Sequence, residues 1–156
     1  MSINLPTLKR TLQAMAILHI MIGLCLPFIV ESPLYTFYRE HLYQAFAMTA
    51  NHSPYSQNVT QQTAFLVGIF GPTIASWGVL FLYTVNSAFA RPTPQAWWFM
   101  LAACLVWAPY DSALSLLNGV YLNAILNAIA FTLIVIPLLL AKPHFMPSAG
   151  KNQSCL

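Results

Sequence analysis

The chain has 156 residues, 58% of them hydrophobic and 6% charged, with a mean hydropathy of +0.66 and a formal net charge of +3. A soluble domain carries roughly 25% charged residues, so this chain cannot clothe a water-facing surface and is neither an ordinary soluble domain nor a disordered one. Its basic residues are scattered, with Lys9-Arg10 as the one adjacent pair, which excludes a nucleic-acid footprint.

Four apolar runs read as membrane spans, since ~20 apolar residues cross the hydrocarbon core. The first is about 12–30. It has a positive flank but no small-residue cleavage site after it, so it is expected to be retained rather than removed as a signal. Glu31 closes it as an anchor. The loop 31–62 opens with Ser32-Pro33, a helix-start pairing. Leu34, Phe37, Tyr38, His41, Leu42, Ala45 and Phe46 then recur at helical spacing, with Thr36, Arg39, Glu40, Tyr43 and Gln44 on the other side. This predicts an amphipathic helix on the outer membrane surface. Residues 49–60 read as polar loop, where Asn51 and Asn58 match glycosylation acceptors that matter only in a secretory-pathway host.

The second run, about 63–89, is long enough to tilt or project. Arg91 follows it as a topology determinant. The third run is about 97–117, with Trp97 and Trp98 as interface markers. Asn118-Gly119 is a turn signal, and the fourth run is about 120–140. The tail 142–156 holds Pro143, Pro147 and Gly150 and is expected to be mobile and cytoplasmic.

The expected fold is therefore all-α: one four-span bundle over 1–141, plus the short surface helix. Five of the six basic residues (Lys9, Arg10, Arg91, Lys142 and Lys151) fall on one side, against Arg39 on the other. Basic residues favour the cytoplasm, which puts both termini there. A bacterial inner membrane is the expected location.

Helices in lipid associate through small residues and buried hydrogen bonds. Gly68, Gly71, Ala75 and Gly78 form a small-residue stripe, read as a bundle seam or a homodimer seam. Cys104, Ala108, Asp111 and Ser115 mark a second face, Ala16, His19 and Gly23 a third, and Asn123, Asn127 and Ala130 a fourth. Pro27, Pro72, Pro109 and Pro137 each free a carbonyl one turn earlier.

Asp111 is the one acid well inside a span, ~9 Å below its outer end. An ionisable group there is a functional candidate by default. With Trp107 and Tyr110 it suits a small aromatic-walled pocket. His19 lies roughly 14 Å into the membrane and suits a proton acceptor. His41, His52 and His144 are not at matching depth for bis-histidine haem ligation within one chain. Asn123 and Asn127, with Thr73 and Ser76, form a polar line or interhelical glue. No metal-ligand spacing, nucleophile elbow, phosphate loop or paired-carboxylate spacing is present.

Three functions follow. The first is binding of an apolar small molecule or lipid, or service as an accessory subunit to a membrane partner. The second is a small oligomeric transporter with proton coupling through Asp111 or His19. The third is a lipid-modifying enzyme using the same two residues. The absence of reactive signatures weighs against catalysis, and no particular cofactor is indicated.

Overall fold

Helices α1 (Leu5–Ile29), α2 (Pro33–Ala47), α3 (Gln57–Ala90), α4 (Pro94–Leu117), α5 (Tyr121–Leu140) and α6 (Lys142–Phe145) follow one another in the computed structural model. The structure describes residues 4–30, 32–47 and 57–146, and the side chains of 47 and 57–59 are not included. Glu31, Asn51, His52, Lys151 and Cys155 lie outside the described residues, as does the Asn58 side chain. Helices α1, α3, α4 and α5 are long and apolar enough to cross a membrane. They expose Phe28, Val106, Leu117 and many other large apolar side chains on the outside of the bundle. Such a surface suits hydrocarbon, not water.

Helices α1, α3 and α4 start earlier than their apolar runs, and α5 starts at Tyr121, within one residue of its run. α4 begins at Pro94 because Thr93 accepts a hydrogen bond from the Ala96 N–H (3.2 Å) and proline occupies the first helical position. α2 begins at Ser32-Pro33 as the sequence predicts, with Ser32 Oγ accepting from the Tyr35 N–H (3.2 Å). α3 starts at Gln57, so residues 57–60 are helix rather than loop. At 34 residues, α3 is ~51 Å long by helix rise, well beyond a ~30 Å core.

The α4–α5 turn is a Schellman motif. Gly119 takes φ +72°, its N–H reaches Leu116 O (3.1 Å), and the Val120 N–H reaches Ser115 O (2.8 Å).

α1 packs most extensively on α3, and α4 on α5. The α1–α3 seam is built on glycine. A methyl group at Gly78 would sit 2.8 Å from both Ala16 O and Ile20 Cγ1, and one at Gly23 would meet the Ala75 backbone nitrogen. Gly71 faces Gly23, Leu26 and Pro27. Gln13 Nε2 donates to Asn86 Oδ1 (2.7 Å) across the same pair. The stripe of Gly71, Ala75 and Gly78 is thus covered by α1 of its own chain and is not left open as a homodimer seam. Gly68 departs from the expectation, with no atom within 4 Å of a Cβ built there.

The apolar core lies toward the α6 end. Leu12, Val85, Trp97, Met100, Cys104, Ile134, Leu138 and Phe145 are its fully buried side chains. Trp97 is a core residue rather than an interface marker. It is 2% exposed, its Nε1–H donates to Leu138 O (2.8 Å), and Lys142 Nζ lies 5.4 Å from its ring. Trp98 alone of the pair faces outward. The domain also extends past 141. Lys142–Phe145 forms a short helix, because Phe145 packs edge-on against Phe89 (5.2 Å) and is 1% exposed.

Candidate functional site

Polar chemistry collects at the other end, beneath α2. Asp111 and Ser115 stand one turn apart on α4, and Asn123 faces them from α5. Asn123 Nδ2 donates to Ser115 Oγ (2.7 Å) and to Asp111 Oδ1 (3.2 Å). The Ser115 hydroxyl donates to the Asp111 carbonyl (2.8 Å); its 3.5 Å approach to Asp111 Oδ1 is at the limit for a bond. These three side chains satisfy one another and join α4 to α5.

α2 lies across this end, with Ala45 beside Gly119. Its two tyrosines at 35 and 43 turn to the bundle and are buried, whereas Leu34 and Phe37 are 72% and 63% exposed. The wholly apolar side chains face outward, as lipid permits, and the tyrosines turn their rings inward. Tyr38 sits within electrostatic reach of Asp111. Burial first, and the Asp111 charge second, push its phenol above the usual tyrosine value. Asp111→Asn removes the second cause and is expected to bring the Tyr38 titration down in pH. Spectrophotometric titration, with Tyr38→Phe subtracted, measures this; an unmoved titration separates the two groups.

Asn127 lies one turn further along α5. It is 6% exposed, and its Nδ2 has no hydrogen-bond partner. Its side chain lines a cleft of about 180 Å³ between α4 and α5, walled by Ala108, Pro109, Ser112, Ala128 and Phe131. Pro109 and Ala128 are exposed on the lipid side of the bundle, so the cleft is open laterally. A second cleft of about 180 Å³ lies between α3 and α4, lined by Trp77, Leu80, Phe81, Thr84, Phe99, Met100 and Ala103. Its one hydroxyl, Thr84, is already bonded to Leu80 O (2.8 Å).

His19 belongs to a separate group. Its Nδ1 bonds Met15 O (2.7 Å), so Nδ1 carries a proton. The ring packs on Trp77 (4.8 Å) and Trp107 (6.2 Å), and Trp77 stacks on Phe81 (5.0 Å). Trp107 therefore serves the histidine cluster rather than an Asp111 pocket. Tyr110 is 70% exposed and walls no pocket, because it points about 100° away from Asp111 around α4.

The expected polar line is not continuous. Thr73 and Ser76 are exposed on α3, and toward the α6 end the interior is the dry core described above. Among the described residues, Ser115 and Asn127 are the buried polar side chains, and no three His, Cys, Asp or Glu side chains group as a metal site needs.

Sequence reasoning missed Tyr38, Phe131 and Trp77 as site residues and took Ser112 only as the end of the segment 107–112. Ser112 and Phe131 each share a face with a candidate already singled out, Ala108 and Asn127 respectively. Tyr38 was assigned to the membrane-facing side of α2. Compared with known protein families, curated proteins and solved structures, the chain matches none.

Proposed function

We propose that this is a small multi-pass protein of the bacterial inner membrane that binds an apolar molecule or lipid of the bilayer in the α4–α5 cleft. The observation that carries the reading is Asn127. A buried amide nitrogen without a partner costs about 1–3 kcal/mol, and among the described residues it differs from the other such atoms (Tyr35 Oη, His41 Nε2 and His144 Nε2) in belonging to a membrane-spanning helix and to a residue that lines a cleft. The residue lines a cleft reached directly from the surrounding lipid, with its amide nitrogen buried behind that lining. The basic residues at the α6 end support a cytoplasmic position for both termini.

The transport and enzyme readings draw less support. Polar groups fade out before the dry core, which leaves one chain without a through path. Asp111 and His19 spend their hydrogen bonds on different partners, Asn123 for the one and Met15 for the other.

Native mass spectrometry of the protein in mild detergent, with an absorbance spectrum of the same sample, tests the binding reading. The expected spectrum shows a chain carrying one apolar molecule. A bare chain under conditions that retain the fold overturns it.

A further inference from the structure

We infer that the molecule in the α4–α5 cleft is a neutral lipid segment presenting a carbonyl oxygen that accepts a hydrogen bond from the Asn127 amide N–H, with the Ser112 hydroxyl beside it; this rests on the binding reading above. Three observations select that chemistry. The unmet group on Asn127 is a donor, so the ligand must bring an acceptor. The cleft has no charged lining residue, so a phosphate or fatty-acid carboxylate would meet no cation there. The remaining lining is apolar and flat-sided, with Pro109 on α4 and Phe131 on α5.

Size points the same way. About 180 Å³ is below the usual range for a whole ligand, roughly 300–1,000 Å³. It holds a ring or a chain segment while the rest of the molecule stays in the bilayer. No hydrogen bond pins the Asn127 amide nitrogen, so rotation about its last side-chain bond can turn the donor toward the cleft. Two bilayer components carry such an oxygen at the edge of the hydrocarbon: the ester of a diacyl lipid and the ring of a prenyl quinone.

The test uses vesicles of dialkyl ether phosphatidylethanolamine, which contain no carbonyl. Either diacyl phosphatidylethanolamine or ubiquinone, each labelled with carbon-13 at the carbonyl, is added at low molar fraction. Isotope-edited infrared spectra then read the labelled band. Wild-type protein is expected to give a hydrogen-bonded, down-shifted band with one of the two probes, and that probe identifies the source. Asn127→Leu is expected to lose the band and to bind about tenfold more weakly, one step of the affinity scale. Ser112→Ala, at a half-buried site, should keep the fold and reduce the shift.

A shifted band that persists in folded Asn127→Leu overturns the assignment, as does wild-type protein with no shifted band for either probe. If native mass spectrometry still shows a bound molecule in those cases, the binding reading survives without this inference. A bare chain removes both.

Discussion

Gly78→Leu is expected to unfold the α1–α3 half of the bundle, lowering Tm in detergent by far more than any surface change. The reason is the nature of the obstruction. A Cβ at Gly78 meets Ala16 O at 2.8 Å and Ile20 N at 2.9 Å, both of them backbone atoms. A side-chain tip can rotate away, but a helix backbone must translate. Moving α1 outward parts the contacts at Gly23, Gly71 and Ala75 and lifts His19 off Trp77. Overpacking typically costs about 1–3 kcal/mol and occasionally more, and the backbone obstruction places this site at or above the top of that range. Gly68→Leu is the control, because nothing lies within 4 Å of its Cβ, and it should leave Tm nearly unchanged. If the stripe instead joined two chains, Gly78→Leu would yield folded monomers. A wild-type Tm for Gly78→Leu contradicts the seam described here.

The second large effect is expected at Trp97. Trp97→Ala empties a site that is 2% exposed, and losses for buried tryptophan run at about 3–5 kcal/mol. It also strips the donor from Leu138 O in the last turn of α5, where carbonyls run out of helix partners. Trp97→Phe separates the two contributions: most of the ring remains, the N–H is lost, and the expected cost is about 1–2 kcal/mol. Trp98→Ala, on the lipid side, should fall within about 0.5 kcal/mol. Unfolding in mixed micelles, followed by tryptophan fluorescence, ranks the three variants. Equal losses at Trp97 and Trp98 would mean that both act only as interface anchors.

These two residues show where sequence reading succeeds and where it stops. The spans were legible because bilayer thickness and backbone satisfaction allow few solutions. The Ser32-Pro33 start of α2 and the Asn118-Gly119 turn were legible because each is local chemistry. The small and polar faces of α4 and α5 were legible, since such groups are what lipid-embedded helices join by, but which of them bond to one another was not. Trp97 and Trp98 could not be told apart, because adjacent tryptophans carry the same interface signal and only a third helix, α5, decides which is buried. Gly68 fits the stripe's period, but period says nothing of how closely the facing helix approaches. Hydrophobic spacing marked α2 as a helix but did not say which residues turn to the bundle, where Tyr35 and Tyr43 are buried. The unpartnered state of Asn127 is a property of its neighbours and has no sequence signature.

The order of packing along the chain sets a schedule for assembly. α4 and α5 are joined by a short turn and can pair as soon as both have left the ribosome. α1 has its main partner in α3, with α2 intervening. Between Ala16 and Gly78 lie roughly 60 residues, which at about 5–20 residues per second means a wait of ~3–12 s during synthesis. Through that interval α1 holds His19 and an unmatched small-residue face in the bilayer or at the insertion machinery. The newborn first helix is therefore the stage of this protein's life most exposed to capture by membrane quality control, and a chain that stalls before Gly71 emerges has nothing of its own with which to shield it.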